Sequence, residues 1–386
     1  MPPSPYTSLY VHVPFCNRKC DYCAFYSLGH ADPDLRRRYL DRLRDEFDAN
    51  AGLCAPLDSI FIGGGTPTAL APGEMAELLH AIRTTFTLAP DCEWSSEANP
   101  ESLTPEMAAV LAEGGVNRVS VGVQSFIPHE RQAIGRRGSL DRLADSLDCL
   151  RRRHVDNLNL DLMFLLPGQT PDSFARSLRQ ALDLHPTHLS AYALTIEEHS
   201  ILARRHPHQP DDELFVTFWD TADRLLATAG LQRYEISNFA LPGRRCRHND
   251  DIWHGVTYLG CGPSATSFDG LTRFTQPHSL NAWLHAEPPE RDELPPPQRA
   301  CEILAFGMRT LQGWNFDDFT ARTGFDALDL RGNQLRQLRQ RGLITLSDTA
   351  AAPTRDGLLF NDDLLIELIY PPLSETARQG HAPPPP

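Results

Sequence analysis

The chain has 386 residues, of which 41% are hydrophobic and 22% charged, an ordinary globular composition that excludes a disordered chain. Its 36 basic and 50 acidic residues leave a net charge of −14, which disfavours a nonspecific nucleic-acid binder, so no nucleic-acid partner is expected. No stretch approaches the roughly 18 apolar residues of a membrane span, and residues 1–6 lack the features of a secretory signal, so we expect a cytoplasmic protein.

Six short β-rich runs alternate with helical patterns over the first 240 residues. The strands are predicted at residues 8–13, 59–62, 93–97, 118–123, 158–165 and 188–194. The helices are predicted at residues 35–50, 72–86, 105–113, 139–154 and 171–184, and Thr104-Pro105 and Thr170-Pro171 are typical of N-caps. Six β/α units predict an α/β fold with a parallel sheet, either a partial barrel or a doubly wound sheet.

The character of the sequence changes after residue 240. A predicted helix at 211–229 and a strand at 232–236 precede a segment rich in Gly, His, Arg and aromatic residues. Residues 287–298 carry five prolines and predict a linker. Residues 299–372 predict a small helical domain with a β-element at 343–346, and residues 373–386, which end in four prolines, predict a disordered tail.

The chain has nine cysteines, an odd number, which in a cytoplasmic protein favours free thiols, a metal centre or a cluster over disulfides. Cys16, Cys20 and Cys23 form a C-x3-C-x2-C run just past the first predicted strand. Three thiolates in one loop leave one iron of a [4Fe–4S] cluster without a protein ligand, where a substrate or cofactor can bind. The alternative is a zinc site with a remote fourth ligand, such as His12 or His30. The remaining cysteines are expected to be small buried hydrophobes, except Cys246, discussed below: Cys54, Cys92, Cys149, Cys261 and Cys301.

This cysteine run, in this position, resembles the radical S-adenosylmethionine (SAM) superfamily. The resemblance implies a partial (β/α)6 barrel, here residues 1–240, and a cluster whose open iron binds SAM and cleaves it to a 5′-deoxyadenosyl radical. Consecutive glycines after the second predicted strand, ending in Gly64 and Gly65, let backbone amides approach a ligand closely. They resemble the superfamily's contact with the SAM amino group.

A narrower resemblance, covering nearly the whole chain, is to the coproporphyrinogen III dehydrogenase (HemN) and HemW group. It implies that SAM is contacted by Tyr10, Gly64, Glu97, Gln124, Arg136 and Asp161. In HemN the contacts extend over a second SAM molecule, and the matching positions here are Tyr22, Gly65 and Thr66. Arg136 would pair with the SAM carboxylate.

Two positions favour the HemW-type heme chaperones over the dehydrogenases. Dehydrogenases carry a further cysteine where this chain has Phe25, and HemW proteins carry an H-N-x-x-Y-W motif whose histidine is the proposed heme ligand. His248 matches that histidine, in residues 241–298, although Ile252 replaces the motif's tyrosine and Cys246 is a rival ligand.

The resemblance therefore implies a chaperone that binds heme, a [4Fe–4S] cluster and SAM, and passes heme to a respiratory or storage hemoprotein. It also implies that coproporphyrinogen dehydrogenase activity is absent. A homodimer is a separate expectation, which the sequence motifs do not address. The alternatives are an oxygen-independent coproporphyrinogen III oxidase and another radical SAM enzyme that acts on heme.

Overall fold

The computed structural model describes residues 5–29, 31–198, 200–205 and 212–370. His30 and the predicted tail at residues 373–386 lie outside these ranges.

The strands are β1 (Tyr6–Val13), β2 (Phe15–Cys16), β3 (Leu28–Gly29), β4 (Cys54–Gly64), β5 (Leu88–Ala98), β6 (Arg118–Gln124), β7 (Asn157–Phe164), β8 (His188–Ala193), β9 (Gln232–Arg233), β10 (Asn238–Ala240), β11 (Tyr258–Cys261), β12 (Thr266–Phe268), β13 (Thr272–Thr275), β14 (Glu290–Glu293), β15 (Trp314–Asn315), β16 (Ile344–Leu346) and β17 (Ala350–Pro353). The helices are α1 (Pro33–Asn50), α2 (Pro72–Thr85), α3 (Pro105–Gly114), α4 (Pro128–Ala133), α5 (Leu143–Arg151), α6 (Pro171–Asp183), α7 (Asp212–Thr228), α8 (Arg247–Trp253), α9 (Leu280–Leu284), α10 (Pro296–Gly307), α11 (Phe316–Thr323), α12 (Ala327–Gln340), α13 (Arg355–Leu359) and α14 (Asn361–Ile369).

The six predicted strands form the centre of one large sheet. Strands β1, β4, β5, β6, β7 and β8 pair in parallel and lie side by side in the order in which the chain makes them. A doubly wound sheet would reverse its strand order at a switch point. The order here does not reverse, so the partial (β/α)6 barrel is confirmed and the doubly wound alternative is wrong.

Each central strand alternates between an apolar outward face and a mostly polar inward face. The outward residues belong to the main hydrophobic core and are fully buried: Leu9, Val11, Ile60, Ile62, Val119, Val121, Leu158, Leu160 and Leu189. The inward residues line a cavity instead: Phe61, Glu97, Arg118, Ser120, Asn159, Asp161 and Ser190. Because strand side chains alternate with a period of two, this pattern directs the apolar face to the helices and leaves a polar interior.

The predicted helix N-caps are confirmed at both positions. The Thr104 hydroxyl accepts a hydrogen bond from Met107 N, and the Thr170 hydroxyl accepts one from Ser173 N, each at 3.1 Å. The predicted helix at residues 139–154 is shorter in the structure, and α4 has no counterpart in the predictions. A helix of six residues is too short to show a period of 3.6.

Residues 241–298 add six elements to the barrel, four strands and two helices, rather than ending in a linker. Strand β11 pairs in parallel with β1, and β12, β13 and β14 extend the sheet in antiparallel order. The linker prediction at residues 287–298 is wrong in its middle, because Glu290–Glu293 pair with Thr272–Thr275. The prolines flank this edge strand and do not interrupt it, which is where a sheet tolerates them.

The C-terminal residues build a second hydrophobic core. Helices α10, α11, α12 and α14 pack around Trp314, Phe319, Leu335 and Leu364, beside the three-stranded sheet β15–β17–β16. The predicted small helical unit with a β-element is thus observed, although the domain boundaries themselves stay a prediction. None of the described helices has the length and apolar character needed to cross a bilayer.

A buried carboxyl group joins α1 to the added strands. Glu46 accepts a hydrogen bond of 2.8 Å from Gly262 N, directly after β11, and burial raises the pKa of Glu46 to about 7. An added Cβ at Gly262, whose φ is +98°, would lie 2.5 Å from the His12 carbonyl oxygen, so only glycine fits there.

We expect the free energy of unfolding of Glu46→Gln to decrease less with rising pH than that of the wild type. In the folded protein, the carboxyl group of Glu46 keeps its proton at pH values above the pKa that it has in the unfolded chain. Its contribution to the free energy of unfolding is therefore complete below about pH 4.5 and is lost as the pH rises through about 7. Thermal unfolding between about pH 5 and pH 8 measures the effect. Asp45→Asn, at an exposed position of the same helix, is the control, and an equal flattening in both variants would contradict the assignment.

Candidate functional site

The three clustered cysteines lie in a loop fastened at both ends. Cys16 ends β2, whose pairing with β3 closes the loop, and Cys20 precedes a turn in which Cys23 N donates to Cys20 O at 3.3 Å. Asp21 holds the loop to the barrel, because its amide donates to Ile134 O at 3.0 Å and its carboxylate pairs with Arg205 at 2.6 Å.

The thiols fit a cluster in their chemistry. All three line one cavity of about 380 Å³ at the carboxyl end of the central strands, named here the thiol cavity. Burial raises the pKa values of Cys16 and Cys23, so binding metal requires them to lose protons. Within the described ranges, no three His, Cys, Asp or Glu side chains are already placed around one point to hold a metal ion.

His12, the described candidate for the fourth ligand of a zinc site, is not free to bind zinc. His12 Nδ1 lies 3.1 Å from the Tyr10 hydroxyl, and His12 Nε2 lies 3.0 Å from the Tyr26 carbonyl oxygen. Both ring nitrogens are therefore engaged inside the protein, and His12 has no nitrogen free for zinc.

The glycine run brings its backbone against the cysteine loop and the next strand. The backbone N–H of Gly64 donates a hydrogen bond of 3.1 Å to Glu97 Oε2, and Gly64 has a φ of +105°. At Gly65, an added Cβ would lie only 2.6 Å from the Phe15 carbonyl oxygen. Glycine is required at both positions for these close approaches. Burial, together with the nearby Asp161 charge, raises the pKa of Glu97 to about 8, so this carboxyl group is protonated at neutral pH.

Arg136 connects the cysteine loop to the central strands. It donates to Cys20 Sγ at 3.2 Å, to Asn99 Oδ1 at 2.6 Å and to Gly122 O. Its guanidinium group is thus held by groups from three elements and lines the thiol cavity. The nearby Tyr22 and Cys20 raise the pKa of Arg136 against the opposing effect of burial, so it remains a cation.

Two further predicted residues are held by neighbouring strands. Asp161 accepts hydrogen bonds from Ser120 at 3.1 Å and Asn159 at 2.7 Å. Gln124 follows a register shift in β6, adopts a φ of +70° and accepts a hydrogen bond of 2.7 Å from the Tyr192 hydroxyl. A left-handed conformation is uncommon outside glycine and marks a constrained position.

The structure gathers eleven of the thirteen predicted site residues in the thiol cavity. They are Cys16, Cys20, Cys23, Tyr22, Gly64, Gly65, Thr66, Glu97, Gln124, Arg136 and Asp161. The other two, Tyr10 and His248, line an adjoining cavity of about 660 Å³, named here the histidine cavity. Four of the residues that the structure describes line both cavities and form their shared wall: Lys19, Phe25, Phe61 and Asn249.

Residue-level reasoning missed several polar groups inside the barrel. Arg118 is only 2% exposed, lines the thiol cavity, and its Nε lacks a hydrogen-bond partner in the described part of the chain. Asn159 and Ser190 line the same cavity. The signal that could have found them is the period of two, because polar residues at alternate positions of otherwise apolar strands must face the interior.

His248 is a buried residue, with 2% exposure, on α8. Its Nδ1 lies 3.0 Å from the Ser59 hydroxyl, and its ring stacks on Phe61 with centroids 5.2 Å apart. Burial lowers the pKa of His248 to about 3, with a contribution from Arg118. The imidazole is therefore neutral at physiological pH, which is the form that binds heme iron.

The other residues of the heme motif differ in their positions. Ile252 lines the histidine cavity, at the place where the motif's tyrosine would lie. The rival ligand Cys246 is fully buried, lines neither cavity, and its thiol contacts Glu93 Oε1 at 3.7 Å. Burial raises the pKa of Cys246 to about 12, so the structure favours His248 over this thiol. Of the remaining cysteines, Cys92, Cys149, Cys261 and Cys301 are buried as predicted, and Cys54 is partly exposed.

Comparison with known proteins gives two family matches and a set of relatives. The Radical SAM superfamily profile matches residues 10–181, and the HemN C-terminal domain profile matches residues 294–360. Heme chaperone HemW from Mycobacterium tuberculosis is 39% identical over 95% of this chain and 90% of its own length. Heme chaperone HemW from Escherichia coli is 32% identical over 94% of this chain and 97% of its own length.

Among solved structures, coproporphyrinogen III oxidase (HemN) from Escherichia coli has a TM-score of 0.83. The match covers 96% of this chain and 91% of that one at 23% identity, which establishes a common fold. Both the radical SAM barrel and the C-terminal domain are therefore shared with HemN. Because HemW proteins from several bacteria are more than 30% identical to this chain over most of its length, the chain belongs to the HemW family of the radical SAM superfamily.

Proposed function

We propose that this protein is a heme chaperone that binds heme in the histidine cavity and transfers it to a client hemoprotein. The observation that carries the proposal is the neutral imidazole of His248 in the wall of a partly aromatic cavity beside the thiols. The volume of about 660 Å³ is typical of small-molecule sites, and aromatic walls pack against flat ligands. Ile252 keeps this wall apolar.

The shared wall supplies the cation that an acidic porphyrin needs. Lys19 is the single lysine of the chain, and it lies between Cys16 and Cys20 in the loop that borders both cavities. An ammonium group there can pair with a propionate carboxylate. Phe25, at 70% exposure, offers an apolar surface where the dehydrogenases place a cysteine.

The thiol cavity is proposed to hold the [4Fe–4S] cluster and SAM that the superfamily implies. Cys16, Cys20 and Cys23 ligate the cluster, and the remaining site residues surround SAM: Tyr10, Tyr22, Gly64, Gly65, Thr66, Glu97, Gln124, Arg136 and Asp161. Such a cluster, once bound, supplies an electron for reductive cleavage of SAM. Arg136 would pair with the carboxylate of SAM, and Glu97, once its proton has passed to solvent, would accept a hydrogen bond from the amino group.

The sequence of the cysteine loop supports transfer of heme over its chemical conversion. Phe25 provides no thiol to the cysteine loop, which sets this loop apart from the dehydrogenase pattern. A cytoplasmic location, a respiratory or storage hemoprotein as client, and a homodimer complete the proposal. Coproporphyrinogen III oxidation and another radical reaction on heme stay as alternatives that turnover assays separate from chaperoning.

We expect His248→Ala to abolish stoichiometric heme binding, because it removes the proposed iron ligand. Anaerobic titration of the cluster-loaded protein with heme, followed through the Soret band, measures this. His285→Ala, at an exposed histidine on neither cavity, is the matched control. Heme binding that is indifferent to His248, or mass-spectrometric detection of a vinyl-bearing product from coproporphyrinogen, would contradict the chaperone.

We expect Cys16→Ala to lose the cluster after anaerobic reconstitution, because two thiolates do not replace three. Iron and sulfide content and the absorption near the charge-transfer bands measure the loss. The comparison is Cys92→Ala, a buried cysteine outside both cavities, which should retain the cluster. Full iron content in Cys16→Ala would show that the ligand assignment is wrong.

We expect Arg136→Gln to weaken SAM binding by about ten- to a hundredfold, since a hydrogen bond to a charged group contributes about 1.5–3 kcal/mol. Equilibrium binding to the cluster-loaded protein gives the dissociation constant. Arg137→Gln changes the exposed neighbouring arginine and should leave the affinity within about twofold of wild type, as for other surface substitutions. Equal effects of the two substitutions would argue against a contact between Arg136 and SAM.

A further inference from the structure

We propose that His278 is a second axial ligand of heme iron, on the side of the histidine cavity opposite His248. This inference rests on the proposed function, because it assumes that heme occupies this cavity. Among the described residues, the histidines that line the cavity are His12, His248 and His278. His12 has both ring nitrogens engaged, which leaves the other two imidazoles for iron.

These two imidazoles are held in the same way. The Nδ1 atom of His278 lies 3.0 Å from the Ser264 hydroxyl, as the Nδ1 atom of His248 lies 3.0 Å from the Ser59 hydroxyl. Neither Nε2 atom has a hydrogen-bond partner in the described ranges. Histidines that ligate metals are oriented by a hydrogen bond at the other ring nitrogen. Each ring is thus oriented by its Nδ1 atom, and its Nε2 atom is available to coordinate iron.

The two rings differ in their exposure to solvent. His248 is almost completely buried, whereas His278 is exposed, just before α9. Heme iron has one axial position on each face of the porphyrin, so two protein ligands must approach from opposite sides. We infer that the buried imidazole approaches from the protein interior and the exposed imidazole from the solvent side of the same cavity, which would meet this requirement.

The backbone that positions His278 is constrained. Ser264 has a φ of +63°, a left-handed conformation that is strained for a residue other than glycine. Ser264 N donates to Pro277 O at 3.1 Å, and Gln276 N donates to Ala265 O at 2.8 Å. These bonds fasten the segment that carries His278 to the turn after β11. Strain that is held in this way marks positions where geometry matters for function.

The other lining groups are weaker candidates for the same coordination position. Burial raises the pKa values of Tyr10 and Tyr258, so both phenols stay protonated and cannot bind as phenolates. The Lys19 ammonium has no lone pair while it is protonated, and it is tested below as the rival ligand.

An exposed ligand opposite a buried one suits a protein that releases heme. The bond to His278 can break without opening the core, and the iron then has one free position while His248 still holds it. A ligand from the client hemoprotein can occupy this position before the second bond breaks. No oxidant or reductant is required, because the transfer exchanges one neutral donor for another.

The experiment uses full-length protein with its cluster reconstituted and ferric heme added at one equivalent. We expect absorption and electron paramagnetic resonance spectra of low-spin, bis-imidazole iron in the wild type. In His278→Ala the iron should become high-spin, the heme affinity should fall at least about tenfold, and added imidazole should restore the low-spin spectrum. His285→Ala should keep the wild-type spectrum.

The outcomes separate this inference from the proposed function. Loss of heme binding in His248→Ala together with an unchanged low-spin spectrum in His278→Ala would overturn only the second ligand. A high-spin wild type, or conversion to high spin in Lys19→Gln in place of His278→Ala, would overturn it as well. Absence of stoichiometric heme in the wild type would instead contradict the proposed function, and the second ligand with it.

Discussion

The parallel register of the six central strands is the constraint on which both cavities depend. Ser8, Ser59 and Glu93 pair side by side across three neighbouring strands. Every second residue after them along each strand faces the same side of the sheet. A slip of one residue would turn the apolar face inward and expose the polar interior to the helices. The same pairing therefore stabilises the core and decides which side chains can reach a ligand.

The two cavities share a wall, and the residues of that wall belong to both sites. The ring of Phe61 stacks against His248 in the histidine cavity, and Phe61 also lines the thiol cavity. The cysteine loop likewise contributes Lys19 and Phe25 to both. Any rearrangement of the loop that accompanies cluster binding must therefore change the shape of the histidine cavity, which gives a physical route by which the state of one site affects the other.

Much of the fold could be predicted from the sequence, because the central strands are long enough to show apolar residues at alternate positions and the helices begin with clear caps such as Thr104 and Thr170. The added strands could not, since β12 and β14 contain three and four residues and depend on pairing with neighbours for their conformation. The cysteine loop was visible because its ligands are local in sequence. The burial of His248 was not visible, because its hydrogen-bond partner Ser59 is 189 residues away, and the inward position of Arg118 shows only in the alternation of residues along β6.

The use of a single lysine in a chain with 36 basic residues has a consequence beyond charge. An amine is a distinct chemical group, and Lys19 is its one side-chain example in this protein, in the wall between the two cavities. Reagents that modify primary amines can thus react with one side chain, in addition to the amino group at the chain terminus. A spectroscopic label or cross-linker attached there would report on ligand occupancy at both cavities from one defined point, without any cysteine having to be removed.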